Sequence, residues 1–202
     1  MNSIENKILT KIKKCGRGKE YFASDFVAYG ESKSISKVLA NLVKKQVLLK
    51  IGTGIYYYPK IDKKLGLGIL YPTLDTVAEA IAKRDKARIV PTGIYALNRL
   101  GLSTQVPANY VFLTDGSSRR IKIGKGKGIL LKHTAPKNLA FKNELAMLIT
   151  FALKEIKEEN VTPEHLDILK QKLQSVPREI DMMQDAKLMP VWIRKLMQKL
   201  YE

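Results

Sequence analysis

Residues 51–60 read IGTGIYYYPK. A glycine-threonine-glycine turn, Gly52 to Gly54, separates VLLKIG from IYYYPK, and both flanks are rich in β-branched and aromatic residues. This pattern predicts a tight β-hairpin. Tyrosine-rich strands occur in ordinary cores and in the wings of nucleic-acid-binding domains, so the surrounding sequence has to decide. Upstream, Ser3 can cap a helix running to Cys15 with Ile4, Ile8, Ile12 and Cys15 on one stripe, ended by Gly16-Arg17-Gly18. Ser24 caps a short helix, DFVAYG, that stops at Gly30. A third helix starts near Ser32 or Ser34 and reaches Lys45, with Ile35, Val38, Leu39, Leu42 and Val43 at helical spacing. Helix, short helix, helix, hairpin is the order of a winged helix-turn-helix, with the tyrosine hairpin as its wing.

Charge points the same way. The 202 residues hold 36 Lys+Arg against 19 Asp+Glu, a formal net charge of +17. An excess of this size favours a polyanionic partner, nucleic acid or an acidic membrane surface, over solubility alone. Residues 1–60 carry +8, residues 61–136 carry +8 and residues 137–202 carry +1. The last third therefore meets something other than phosphate. No apolar run approaches the ~20 residues that span a bilayer, and the longest, LAMLITFAL (Leu145 to Leu153), is too short. The N-terminal segment has no apolar signal-peptide core, and the single cysteine, Cys15, excludes an internal disulfide and a cysteine-based metal cluster. The expectation is a reduced, cytoplasmic protein without a membrane partner.

Downstream, residues 61–72 read as a linker. Thr73 caps a helix with Leu74, Val77, Ala78 and Ile81 on one side; ARIVP is a short strand; and Thr92 caps a helix ending at Gly101. NYVFLTD, RRIKIG and GILLKHT are three further strands, with Asp115-Gly116 and GKGKG (Gly124 to Gly128) as turns. From Asn138 the pattern is helical. The 138–157 helix is apolar nearly all round and therefore buried, and Thr162-Pro163 opens another helix. The fold class is α+β: a winged helix-turn-helix at 1–60, a linker at 61–72, and a mixed α/β domain at 73–202, with its α/β part at 73–136 and a helical region at 137–202.

The second helix of a helix-turn-helix pair enters the major groove. Here its polar face carries Ser32, Lys33, Ser34, Ser36, Lys37, Asn41 and Lys44, which can contact base edges or phosphates. A solvated helix face would have the same composition, and it is the combination with a wing and a local charge of +8 that favours double-stranded DNA or RNA. In the wing, Thr53 sits at the tip, Ile55 and Tyr57 share one face, and Tyr56 and Tyr58 share the other. One face packs on the helices; the other either packs too or places phenol hydroxyls against phosphate. Arg119, Arg120, Lys122, Lys125 and Lys127 form a second basic stripe. Its glycines lack the Gly-Lys-Ser/Thr of a P-loop and lie between two strands, so they read as a hairpin turn. Catalytic signals are poor. His133 and His165 lie on different elements, no metal-ligand spacing exists, no serine sits in a nucleophile elbow, and Glu155 to Lys157 end a helix where a nuclease motif needs a strand. No cofactor or metal is expected. Met182, Met183, Met189 and Met197, with Trp192 and Leu196, either close the core or bind a protein partner.

Three stretches in order, GIYYYP (Gly54 to Pro59), PTGIYALNRLGLSTQVP (Pro91 to Pro107) and VFLTDGSSRRIKI (Val111 to Ile123), resemble the AbiEi-type antitoxin family of abortive-infection and type IV toxin–antitoxin systems. The resemblance covers most of residues 1–135. It implies a non-catalytic, DNA-binding antitoxin and transcriptional autorepressor. The winged domain would bind inverted repeats in its own promoter, and the remainder would counteract a nucleotidyltransferase toxin with or without a stable complex. Relatives often carry a basic residue before the wing glycine, where this chain has Thr53, so a wing-tip arginine in the minor groove is absent. The rival readings are a nuclease or nucleotide transferase, and an RNA-binding protein.

Overall fold

The computed structural model describes residues 3–124, 126–177, 181 and 183–201. The protein is mixed α+β and divides into two compact units, Met1–Lys86 with Ile121–Gly128, and Ala87–Arg120 with Ile129–Glu202.

In the first unit, α1 (Ile4–Cys15) is capped by Ser3, whose hydroxyl accepts the Asn6 N–H at 3.2 Å. A 3-10 helix spans Ala23–Tyr29. Ser24 was the expected cap, but the Asp25 carboxylate does this work by accepting the Phe22 N–H at 2.7 Å. A carboxylate three residues into a helix can reach back in this way, and it is a stronger acceptor than a hydroxyl. Helix α2 (Ser32–Lys44) follows. Ile8, Ile12, Phe26, Ile35, Leu39, Leu42 and Leu48 are fully buried together, so the three helical segments share one core. Cys15, read as part of the α1 stripe, is exposed.

Strands β1 (Lys19–Tyr21), β2 (Leu49–Gly52) and β3 (Ile55–Tyr58) form an antiparallel array with β3 in the middle. The β2–β3 hairpin is the one that IGTGIYYY predicts, and Gly54 turns it at φ +69°. Gly52 has a different reason to be glycine: a Cβ there would come within 2.9 Å of the Lys122 carbonyl oxygen, where Gly52 registers with Ile123.

Residues 61–72, expected as a linker, contain a second hairpin of β4 (Lys60–Asp62) and β5 (Gly68–Leu70). Helix α3 (Leu74–Asp85) then starts from its Thr73 cap. The sheet explains why the unit continues past residue 60. The face bearing Ile51, Ile55 and Tyr57 is apolar and buried, and water cannot cover such a face cheaply. Glu20, opposite Tyr57 in register, hydrogen-bonds the Thr76 side chain, and the Arg84 guanidinium lies 4.6 Å from the Phe22 ring centroid, which ties α3 to this side.

In the second unit, β6 (Ile89–Thr92) pairs antiparallel with β7 (Asn109–Thr114), and α4 (Gly93–Leu100) lies between them in sequence. Strands β8 (Arg119–Ile123) and β9 (Lys127–His133) are where the chain passes between the two units. Helix α5 (Glu144–Ile156) buries seven of its residues, as its all-round apolar pattern requires. It is the hub of a core shared with α4, α6 (Pro163–Gln174) and α7 (Val191–Tyr201). Met189 and Met197 are buried in this core, Met183 packs on it, and Met182 lies outside the described residues. Among the described residues, no helix is long and apolar enough to cross a membrane.

Candidate nucleic-acid interface

Helix α2 separates its chemistry by face. At 100° per residue, Ile35, Leu39 and Leu42 fall on one side and are fully buried, while Lys33, Lys37 and Lys44 fall within about 40° of one another on the other. Ser32, Lys33, Ser36, Lys37 and Lys44 are exposed, and Ser34 and Asn41 are half-buried. The helix contains no acidic residue, so its outer face has no carboxylate of its own to neutralise the lysines. Glu31 is the exposed N-cap residue before the helix, and Glu5 is engaged by Lys45, just past the helix end. Thr53 is exposed at the hairpin tip beside Gly54.

The tyrosines of β3 divide by face as strand alternation requires. Tyr57 is buried and donates its phenol to the Leu70 carbonyl at 2.6 Å. Burial raises its pKa above the ordinary tyrosine value. Tyr56 and Tyr58 are half-buried and pack against the helical core. Tyr58 is also covered by Arg17, whose guanidinium lies 4.7 Å from the ring centroid while it donates to the Pro59 carbonyl at 2.9 Å. Both faces of β3 therefore pack, and Tyr56 and Tyr58 stay half-buried. Arg17 escaped sequence reading because it lies in a Gly-Arg-Gly loop with no periodic pattern; its cation is held at the root of the hairpin.

The second basic stripe lies largely on one strand, β8. A strand alternates its faces with period two. Along β8 the exposed positions are Arg120 and Lys122, whereas Arg119 shares the half-buried face of Ile121 and Ile123. Lys122 and Lys127 are exposed and belong to the first unit with α2, while Arg119 and Arg120 belong to the second. Arg120 donates to the Asn109 side chain at 3.2 Å. Lys125 lies outside the described residues. The first unit carries 20 basic and 8 acidic residues, net +12; the second carries 16 and 11, net +5.

Both histidines have local partners. His133 Nδ1 is 3.0 Å from the Gly116 carbonyl oxygen, and His165 accepts the Thr162 N–H at the start of α6. Among the described residues, no group of three His, Cys, Asp or Glu side chains is placed to hold a metal ion. Sequence reading missed Asp185, which is buried and accepts the N–H groups of Lys142 and Asn143 at 2.9 and 2.8 Å before α5. It sits more than 40 residues from its partners, so no local pattern could reveal it. No curated protein matches the chain. Residues 7–184 match a family described only as a family of unknown function, DUF6088, and the chain belongs to that family.

Proposed function

We propose that the N-terminal elements are a winged helix-turn-helix, that α2 is its recognition helix, and that the protein binds double-stranded DNA. The observation that carries this reading is the lysine ridge Lys33–Lys37–Lys44 on a helix without acids, in a unit of net charge +12. Phosphate contacts from such a ridge hold the helix in register, and Ser36 and Asn41 are short polar groups suited to base edges. On the resemblance of residues 54–59, 91–107 and 111–123 to AbiEi-type antitoxins, the protein is a non-catalytic cytoplasmic autorepressor, with DNA binding in the first unit and counteraction of a nucleotidyltransferase toxin in the second.

The test is binding of the full chain to its own promoter duplex and to random duplex. Lys37→Ala weakens both equally if Lys37 holds phosphate, and selectively, by about 1–3 kcal/mol, if it reads a base. No change on either duplex removes α2 from the interface. Cleavage or modification of nucleic acid in magnesium would replace the repressor reading with an enzyme. A preference for RNA over duplex DNA in competition would replace it with an RNA-binding protein.

A further inference from the structure

The hairpin of residues 60–71, KIDKKLGLGILY, is a two-stranded sheet of its own, with Ile61 opposite Ile69. Among the described residues, no third strand joins it. One face is fixed to the first unit. A Cβ on Gly18 would lie 3.6 Å from the Lys60 stem, and the Leu70 carbonyl takes the Tyr57 phenol. The other face points away. On it Ile61 is 46% exposed, Ile69 39% and Tyr71 66%, and the turn adds Leu65 at 76% and Leu67 at 63%. The remaining exposed large hydrophobics, Val27, Ile94, Val106 and Val191, are scattered along the chain. An isolated two-stranded hairpin is marginal in water, and a contiguous apolar patch on a soluble chain marks an interface.

We propose that this face pairs with the same face of a second copy of the chain, making a two-fold dimer. The patch is uncharged, so it complements itself. In an isologous contact each Ile61 can meet its partner's apolar side chains without desolvating a charge. Lys60 and Asp62 lie on the opposite side of the strand, and Lys63 and Lys64 are exposed in the turn before Leu65. An anionic partner would instead need the lysines at the centre of the patch, where this hairpin places leucines. The five side chains leave on the order of 500 Å² exposed per copy, so the pair buries about 1,000 Å², the lower bound for a specific interface. An area at this lower bound fits a reversible dimer better than an obligate one. The inference stands apart from DNA binding, although a two-fold protein would match inverted repeats.

The experiment is sedimentation velocity of the full chain without DNA, over concentrations spanning the micromolar range. The expected result is a monomer–dimer equilibrium, with amide exchange at residues 60–71 slowing as concentration rises. Leu65→Ser with Leu67→Ser and Tyr71→Ser raises the dissociation constant at least about tenfold. Where circular dichroism shows that this triple variant is unfolded, Leu65→Ser alone replaces it. A wild-type chain that stays monomeric throughout overturns the proposal, as does a dimer that the substitutions leave intact. A monomer that binds anionic vesicles or duplex DNA through these residues also overturns it, in favour of that partner. Failure of the DNA reading appears separately, as loss of effect in the α2 variants.

Discussion

Replacing Lys33, Lys37 and Lys44 together by alanine tests the proposed interface at its charge. All three lie on the solvent face of α2, and Lys33 and Lys44 are separated by about 16 Å along the axis. Alanine is at least as good a helix former as lysine, and none of the three side chains is buried, so the helix should survive intact. Each phosphate contact contributes about 0.9 to the slope of log affinity against log salt. If all three hold phosphate, the variant's slope is shallower by about 2.7. Between about 50 and about 200 mM salt the wild type then loses about 40-fold more affinity than the variant. Fluorescence anisotropy of a labelled promoter duplex over that range reads the slope directly. The control replaces Lys170, Lys187 and Lys195, exposed lysines of the second unit, and changes net charge by the same amount. Equal flattening in variant and control would show that only overall charge matters and would refute the recognition-helix reasoning.

The remaining predictions address the scaffold and the division of labour. Leu42→Ala opens a cavity in the fully buried core of the first unit and should cost about 2–5 kcal/mol in urea unfolding, with DNA affinity falling only as the folded fraction falls. Asp185→Ala leaves the Lys142 and Asn143 N–H groups without their acceptor and should cost about 1–3 kcal/mol, whereas Asp185→Asn, which keeps an acceptor oxygen, should cost less. The Arg88 side chain and backbone N–H hold the Asp115 carboxyl below its ordinary value of 3.8. A depressed carboxylate pKa stabilises the fold above the unfolded-state value, and that stabilisation is lost as pH falls through the folded-state value. The melting-temperature gap between wild type and Asp115→Asn should therefore be constant at neutral pH and close below about pH 4. Finally, if the antitoxin proposal holds, the full-length triple-lysine variant of α2, expressed from an unrelated promoter beside the proposed toxin's gene, should still rescue growth while failing to repress the native promoter. Loss of rescue with the fold intact would place the proposed antitoxin action on the lysine face of α2.

Local chemistry made much of this architecture legible. Ser3, Thr73 and Thr162 each precede an apolar stripe at helical spacing, and each caps a helix where the pattern places it. Gly52 to Gly54 marked the hairpin because a tight turn needs a residue that accepts positive φ. What stayed hidden depends on distance or on weak local patterns. β1 has three residues and exists because β3 pairs with it. Residues 61–72 looked like a linker because Gly66 and Gly68 break the pattern and the exposed leucines obey no burial rule. In the candidate interface, the shared face of the α2 lysines followed from helical period alone. The fate of Tyr56 and Tyr58 did not, since alternation says which residues share a face but not what covers it. Arg119 was grouped with its basic neighbours, although the same alternation assigns it to the isoleucine face.

The first unit is discontinuous: residues 87–120 leave it, and Ile121–Gly128 return to complete it. During synthesis, α2 and its hairpin emerge early, yet the strand segment that registers with Gly52 is not made until Ile123 is reached. At about 5–20 residues per second, the ribosome takes several seconds to travel from Lys86 to Gly128. A truncated product that ends in that interval carries the α2 lysines without the strand segment that registers with Gly52. Completion of the first unit and production of the excursion are therefore coupled in time, and no cut at a single point in the chain frees one compact unit whole.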